Sequence, residues 1–155
     1  DNRRQFINTL NGLNDPKIVV LIPDVGFAYL DDPANKFKVI NTGVTEEATM
    51  IIAAAMALDG WKPFVYSMVN FVLMRPFEMV RDGIVFHEAS VTLLGVRGGP
   101  SYKFLGRGHN LVDDKEDFDI CDILRLKWHN PQTNEEVRES VENSYNSGKG
   151  AYIRL

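Results

Sequence analysis

Ile18-Val19-Val20-Leu21-Ile22, closed by Pro23, is a run of five residues with no polar position. A strand with one wet face alternates apolar and polar side chains, so an unbroken run predicts a strand covered on both faces. Upstream, Phe6, Ile7, Leu10 and Leu13 recur at helical spacing until Asn14-Asp15-Pro16 breaks the pattern, which predicts a short amphipathic helix. Downstream, a polar loop spans Asp24 to Lys36, and Phe37 to Ile40 reads as a short strand. Glu46 to Leu58 then reads as a helix, with Thr45 as its N-cap and Gly60 as its stop.

The same alternation continues to the last residue. Pro63 to Ser67 reads as a strand with proline at its first position. A helix is expected from Phe71 to Arg81, where Pro76 lacks an amide donor and must lie in the first turn or kink the helix. Val91 to Val96 is a third buried strand, emptying into a loop with glycines at 98, 99, 106 and 108. Asp117 to Leu124 reads as a helix and Arg125 to Trp128 as a strand. Val137, Val141 and Tyr145 mark a helix behind an Asn134 cap, and Ala151 to Leu155 is a final strand. Some six strands alternating with helices predict an α/β fold: an open, mostly parallel sheet with helices on both faces, in one domain over 1–155. Ligands of such sheets bind beyond the carboxyl ends of the strands. That singles out the loops after Ile22, Ile40, Ser67 and Val96.

Composition narrows the function classes. The 155 residues are 45% apolar and 25% charged, the balance of an ordinary globular protein. Net charge is −4 with no basic run, which argues against a nucleic-acid partner. No apolar run approaches the roughly 18 residues of a membrane-spanning helix. The single cysteine, Cys121, excludes an internal disulfide and suits a cytoplasmic setting. The first residue is Asp1 and no signal-peptide pattern follows, so the chain reads as part of a longer frame.

Several familiar motifs fail. Gly95, Gly98 and Gly99 do not fit the dinucleotide fingerprint, and Gly148-Lys149-Gly150 lacks the flanks of a phosphate loop. His87, His109 and His129 lie far apart without a nearby cysteine, so no metal site is expected in this chain. Glu46 has two readings. It is either a first-turn acid favoured by the helix dipole, as Glu47 beside it is, or a carboxyl held protonated in apolar surroundings supplied by Met50, Ala53 and Ala54. His109, in Gly106-Arg107-Gly108-His109-Asn110, is a solvated or a ligand-contacting loop histidine. Taken singly, Phe71, Met68 and Met74 read as core, Arg75 as surface, and Cys121 as an inert packed thiol.

The order of these segments says more than any one of them. Thr42-Gly43-Val44-Thr45-Glu46-Glu47 is followed by Gly60-Trp61-Lys62-Pro63-Phe64-Val65-Tyr66-Ser67, Phe71, Arg75-Pro76-Phe77-Glu78, Leu94-Gly95-Val96, Gly106-Arg107-Gly108-His109 and Tyr152-Ile153-Arg154-Leu155. From about Asp15 onward the series resembles the pyrimidine-binding domain of the transketolase family of thiamine diphosphate enzymes, the family that includes deoxyxylulose-phosphate synthase. The resemblance implies that Glu46 hydrogen-bonds the cofactor's aminopyrimidine and favours the imino tautomer, whose exocyclic nitrogen removes the thiazolium proton. It implies that Phe71 stacks on the pyrimidine ring and that Met68 stands where many relatives place a second aromatic. It further implies that His109 acts at the substrate or thiazolium end, with Arg75 as a substrate-binding arginine.

The resemblance also implies a missing half-site. The family holds the diphosphate and its Mg2+ through a G-D-G…N segment in another domain, and nothing here matches that segment. A diphosphate-binding domain or subunit is therefore the expected partner, in a homodimer or heteromer, with a third, C-terminal domain also absent. The expected activity is transfer of a ketol unit to an aldose acceptor, with a sugar-phosphate or 2-oxo-acid substrate and no measurable turnover by these residues alone. Two alternatives stay open: a component like the beta subunit of a 2-oxo-acid dehydrogenase, or a degenerate dimerisation domain. The second is motivated by Arg107-Gly108 in place of the family's Pro-Thr and by methionine at Met68.

Overall fold

The computed structural model describes residues 1–155. Six strands form one sheet: β1 (Ile18–Ile22), β2 (Lys38–Asn41), β3 (Lys62–Met68), β4 (Thr92–Val96), β5 (Lys127–His129) and β6 (Ala151–Arg154). Their spatial order is β2-β1-β3-β4-β6-β5 and every pairing is parallel. The four central strands are the apolar runs of the sequence and are almost wholly buried, whereas β2 and β5 are the exposed edges. Pro63 is the second residue of the internal strand β3, where only the start of the ladder loses a donor.

Helices cover both faces. On one face, α1 (Asn2–Leu13) and α5 (Asn134–Ser147) contribute Phe6, Ile7, Leu10, Val137 and Val141 to a core with Val20, Phe64, Tyr66 and Leu94. On the other, α2 (Glu46–Leu58) and α4 (Glu116–Leu124) supply Met50, Ala53, Ala54, Cys121 and Leu124 against Val19, Leu21, Val65 and Leu93. Cys121 is fully buried, and burial pushes its thiol up, away from the reactive range. No helix is long and apolar enough to cross a membrane.

Three local expectations are corrected. Thr45 stands at the cap position of α2, but its hydroxyl donates backward to the Thr42 carbonyl (2.8 Å) instead of capping the helix. Thr133, not Asn134, caps α5, its Oγ1 accepting from the Glu136 amide. The helix expected over Phe71–Arg81 is broken and wide. Asn70–Met74 forms a π turn, α3 (Phe77–Met79) is a single turn, and a second π stretch runs over Val80–Phe86. Pro76 has no N–H to offer, and the turn widens so that the Arg75 amide bonds the Asn70 carbonyl five residues back (2.9 Å). The glycine-rich loop also gains order, as a 3-10 stretch over Pro100–Gly108 kinked at Gly106.

Candidate functional site at the carboxyl edge of the sheet

Glu46 opens α2 just beyond β2, on a turn pinned by its own side chains. Asn41 Oδ1 accepts from the Gly43 amide (2.9 Å), the Thr42 and Thr49 hydroxyls are 2.7 Å apart, and Thr49 Oγ1 donates to the Thr45 carbonyl (2.8 Å). This holds the first turn of α2 with the Glu46 side chain turned inward, only 4% exposed, while Glu47 points to solvent. Met50, Ala53 and Ala54 are buried in the turns that follow, as expected.

One expectation about Glu46 does not hold. Its surroundings are not purely apolar, because Arg75 Nη1 donates to Glu46 Oε1 at 2.6 Å. The π turn explains the pairing. Widening brings Arg75 over Phe71, with the guanidinium carbon 4.5 Å from the ring centroid, and aims its far end at α2. Phe71 in turn meets the His109 ring edge-on, centroids 5.1 Å apart. Glu46, Arg75, Phe71 and His109 thus form one unbroken chain of contacts, though they come from three segments up to 63 positions apart.

Met68 lies apart from that chain. It lines a cleft of about 440 Å³ with Arg3, Tyr66, Val96 and Tyr102, where burial pushes the Tyr66 hydroxyl up to about 12. Met68 approaches the His109 loop from behind: a Cβ at Gly98 would stand 3.0 Å from Met68 Cε and 2.6 Å from the His109 carbonyl oxygen. Only glycine fits between them. A wider cleft of about 800 Å³ opens on the outer side of the loop, lined by Arg97, Lys103, Arg107, Asn110 and Asp114. No group of three His, Cys, Asp or Glu side chains is placed to hold a metal ion.

Sequence reading missed Asn70. Its amide donates to the Arg107 carbonyl (3.0 Å), tying the His109 loop to the π turn that carries Phe71 and Arg75. A lone polar residue inside Met68-Val69-Asn70-Phe71-Val72-Leu73 was the available signal.

A carboxyl group recessed at a helix start beside a half-buried aromatic ring is a donor set suited to a flat nitrogen heterocycle. The family profile described as "Transketolase, pyrimidine binding domain" matches residues 10–155. The chain belongs to that family. The transketolase family implies use of thiamine diphosphate, and Glu46 and Phe71 fit the pyrimidine end of that group. Among curated transketolases, the chain is 32% identical over 117 residues to one subunit of the apulose-4-phosphate transketolase of Phocaeicola vulgatus, covering 72% of this chain and 38% of that protein. It is 25% identical over 122 residues to the protein of the same description from Actinobacillus succinogenes, covering 76% of this chain and 37% of the other. A solved structure described as "Split gene transketolase, inactive beta4 tetramer" superposes with a TM-score of 0.83 at 26% identity, over 99% of this chain and 50% of that one. The chain therefore spans half or less of the length of these transketolase relatives.

Proposed function

We propose that this chain is the pyrimidine-binding half of a thiamine diphosphate-dependent transketolase-like enzyme that moves a ketol unit onto an aldose acceptor. The observation that carries the reading is Glu46: an acid recessed to 4% exposure at the mouth of a parallel sheet, in a contact chain with Phe71 and His109. When bound, thiamine diphosphate supplies the electron sink for breaking a bond next to a carbonyl. Glu46 would hold the aminopyrimidine by a hydrogen bond and keep the proton shared across that bond away from water. Phe71 would give the ring a flat apolar face. His109, on the loop that Asn70 anchors, would meet the substrate, with Arg75 as a second polar contact and Met68 supporting the loop from behind.

The diphosphate and Mg2+ belong, in this reading, to a partner domain or subunit. The outer face of α2 supports this. Ala48, Ile51, Ile52, Ala55 and Leu58 are exposed together on the helix that begins with Glu46, an apolar surface suited to a protein partner. The two apulose-4-phosphate transketolase relatives are each described as one subunit of their enzyme, and the split-gene structure as a tetramer. Both descriptions support a multi-subunit arrangement.

The test is Glu46→Gln in the assembled enzyme. Turnover is expected to fall by several orders of magnitude, at least about 10²-fold, because Gln keeps the shape and loses the transferable proton. Turnover within about twofold of wild type would refute the assignment.

A further inference from the structure

The Glu46 site is filled by the chain itself. A ligand that uses Glu46 and Phe71 needs two things: a donor on the carboxylate and a flat group over the ring. Arg75 supplies both from within, with Nη1 on Oε1 at 2.6 Å and its guanidinium 4.5 Å above the Phe71 centroid. Guanidinium is planar, cationic and rich in N–H donors, so it presents a carboxylate with a pattern much like the edge of an aminopyrimidine. The Glu46 side chain is 4% exposed and that of Arg75 is 44% exposed. Arg75 can therefore leave into water without unpacking the core, and Glu46 cannot come out to meet a ligand.

We infer that Arg75 is a built-in latch: in the cofactor-free protein its guanidinium occupies the pyrimidine seat, and cofactor binding requires it to swing out. This inference rests on the cofactor reading given above and adds a regulatory step to it. The π turn is the hinge support. The Arg75 amide is fixed to the Asn70 carbonyl and Pro76 is buried behind it, so motion is confined to the side chain. While latched, Arg75 satisfies an otherwise unpartnered recessed carboxylate, which keeps the site ordered before the cofactor arrives.

The test is equilibrium binding of thiamine diphosphate, and of thiamine as a probe of the pyrimidine end without the diphosphate, to the assembled protein. Arg75→Met keeps an apolar stem over Phe71 and removes the donors. It is expected to bind both ligands about tenfold more tightly, the size set by giving up one half-exposed ion pair and one cation–π contact. Arg75→Lys, which keeps the charge but not the plane, is expected between the two. Side-chain guanidinium NMR supplies a second readout: the Arg75 Nη signals, held distinct by the Glu46 contact, should broaden and merge on ligand addition as the freed group rotates and exchanges protons with water. If Glu46→Gln weakens binding while Arg75→Met leaves it equal or weaker, the latch is wrong and the cofactor reading stands. If no variant, including wild type, binds either ligand, both fall.

Discussion

Two arginine–carboxylate pairs sit at the same end of the sheet, each with a phenylalanine ring against the guanidinium, and differ in how fully the arginine is buried and bonded. Arg154, the last residue of β6, is 6% exposed and donates from Nε to Asp117 Oδ2 at 2.9 Å and from Nη2 to Oδ1, a fork on a carboxylate with no exposure at all. Tyr152 also donates to Asp117 Oδ2 (2.6 Å), Arg154 Nη2 reaches the Asp114 carbonyl (2.6 Å), and the Phe118 ring lies 3.9 Å from the guanidinium carbon. Burial, with the Asp117 charge beside it, pushes the Tyr152 hydroxyl well above its ordinary value. Arg75–Glu46 has one hydrogen bond, one ring contact and an arginine nearly half in water. A pair satisfied on every side cannot exchange partners. A pair satisfied on one side is poised to. The first joins α4 to β6 as structure, and the second is the pair that the proposed function assigns to a binding site.

If that contrast is right, stability and activity should separate. Asp117→Ala is expected to cost about 3–5 kcal/mol, since it strands a buried guanidinium; urea denaturation would show it as a large fall in midpoint. Tyr152→Phe removes one of the donors to Asp117 and is expected to cost about 1–2 kcal/mol by the same assay. Glu46→Gln, ruinous to turnover under the proposed function, should cost less than about 1 kcal/mol because its partner is nearly half in water. Equal losses at Asp117 and Glu46 would erase the distinction between the pairs.

Two smaller effects sharpen the picture away from the site. Asp15 accepts from the Tyr145 hydroxyl (2.6 Å) and the Lys17 amide (2.8 Å), which hold its carboxyl below its usual value, the tyrosine bond mattering most. A carboxyl lowered on folding contributes stability above its unfolded pKa, near 3.8, that is lost as pH falls through the folded value. Tyr145→Phe should therefore flatten the acid end of the stability profile and cost about 1 kcal/mol at neutral pH. His129 is shifted down by burial, with Lys127 adding to it, and its Nε2 is buried without a partner. The unfolded chain takes up that proton first, so stability should decline as pH drops below about 6.5, and His129→Gln should remove that slope in pH-dependent thermal melts.

The fold was legible because its central strands are uninterrupted apolar runs, and such runs admit few arrangements. Every strand, and every expected helix except the broken one over Phe71–Arg81, falls close to its expected span. The site was legible only in part. Glu46 and His109 stand out at loop and helix boundaries, but nothing local in the sequence says that Arg75 reaches Glu46 across 29 positions. That contact depends on a π turn, whose extra residue per turn leaves no periodic trace in so short a segment. Asp117 and Arg154 escaped for a related reason. Each looks like a surface charge at the end of its element, and only the three-dimensional meeting of α4 with β6 makes them core residues.

The bare backbone at Gly98 limits where the His109 loop can vary. With the Met68 methyl on one side and the His109 carbonyl on the other, any added carbon there would lift the histidine from its place. Side chains can vary farther along, between Pro100 and Gly108, where Tyr102, Lys103, Phe104 and Arg107 face water. The exposed rim of the loop has room to change, and its base beside Gly98 has none.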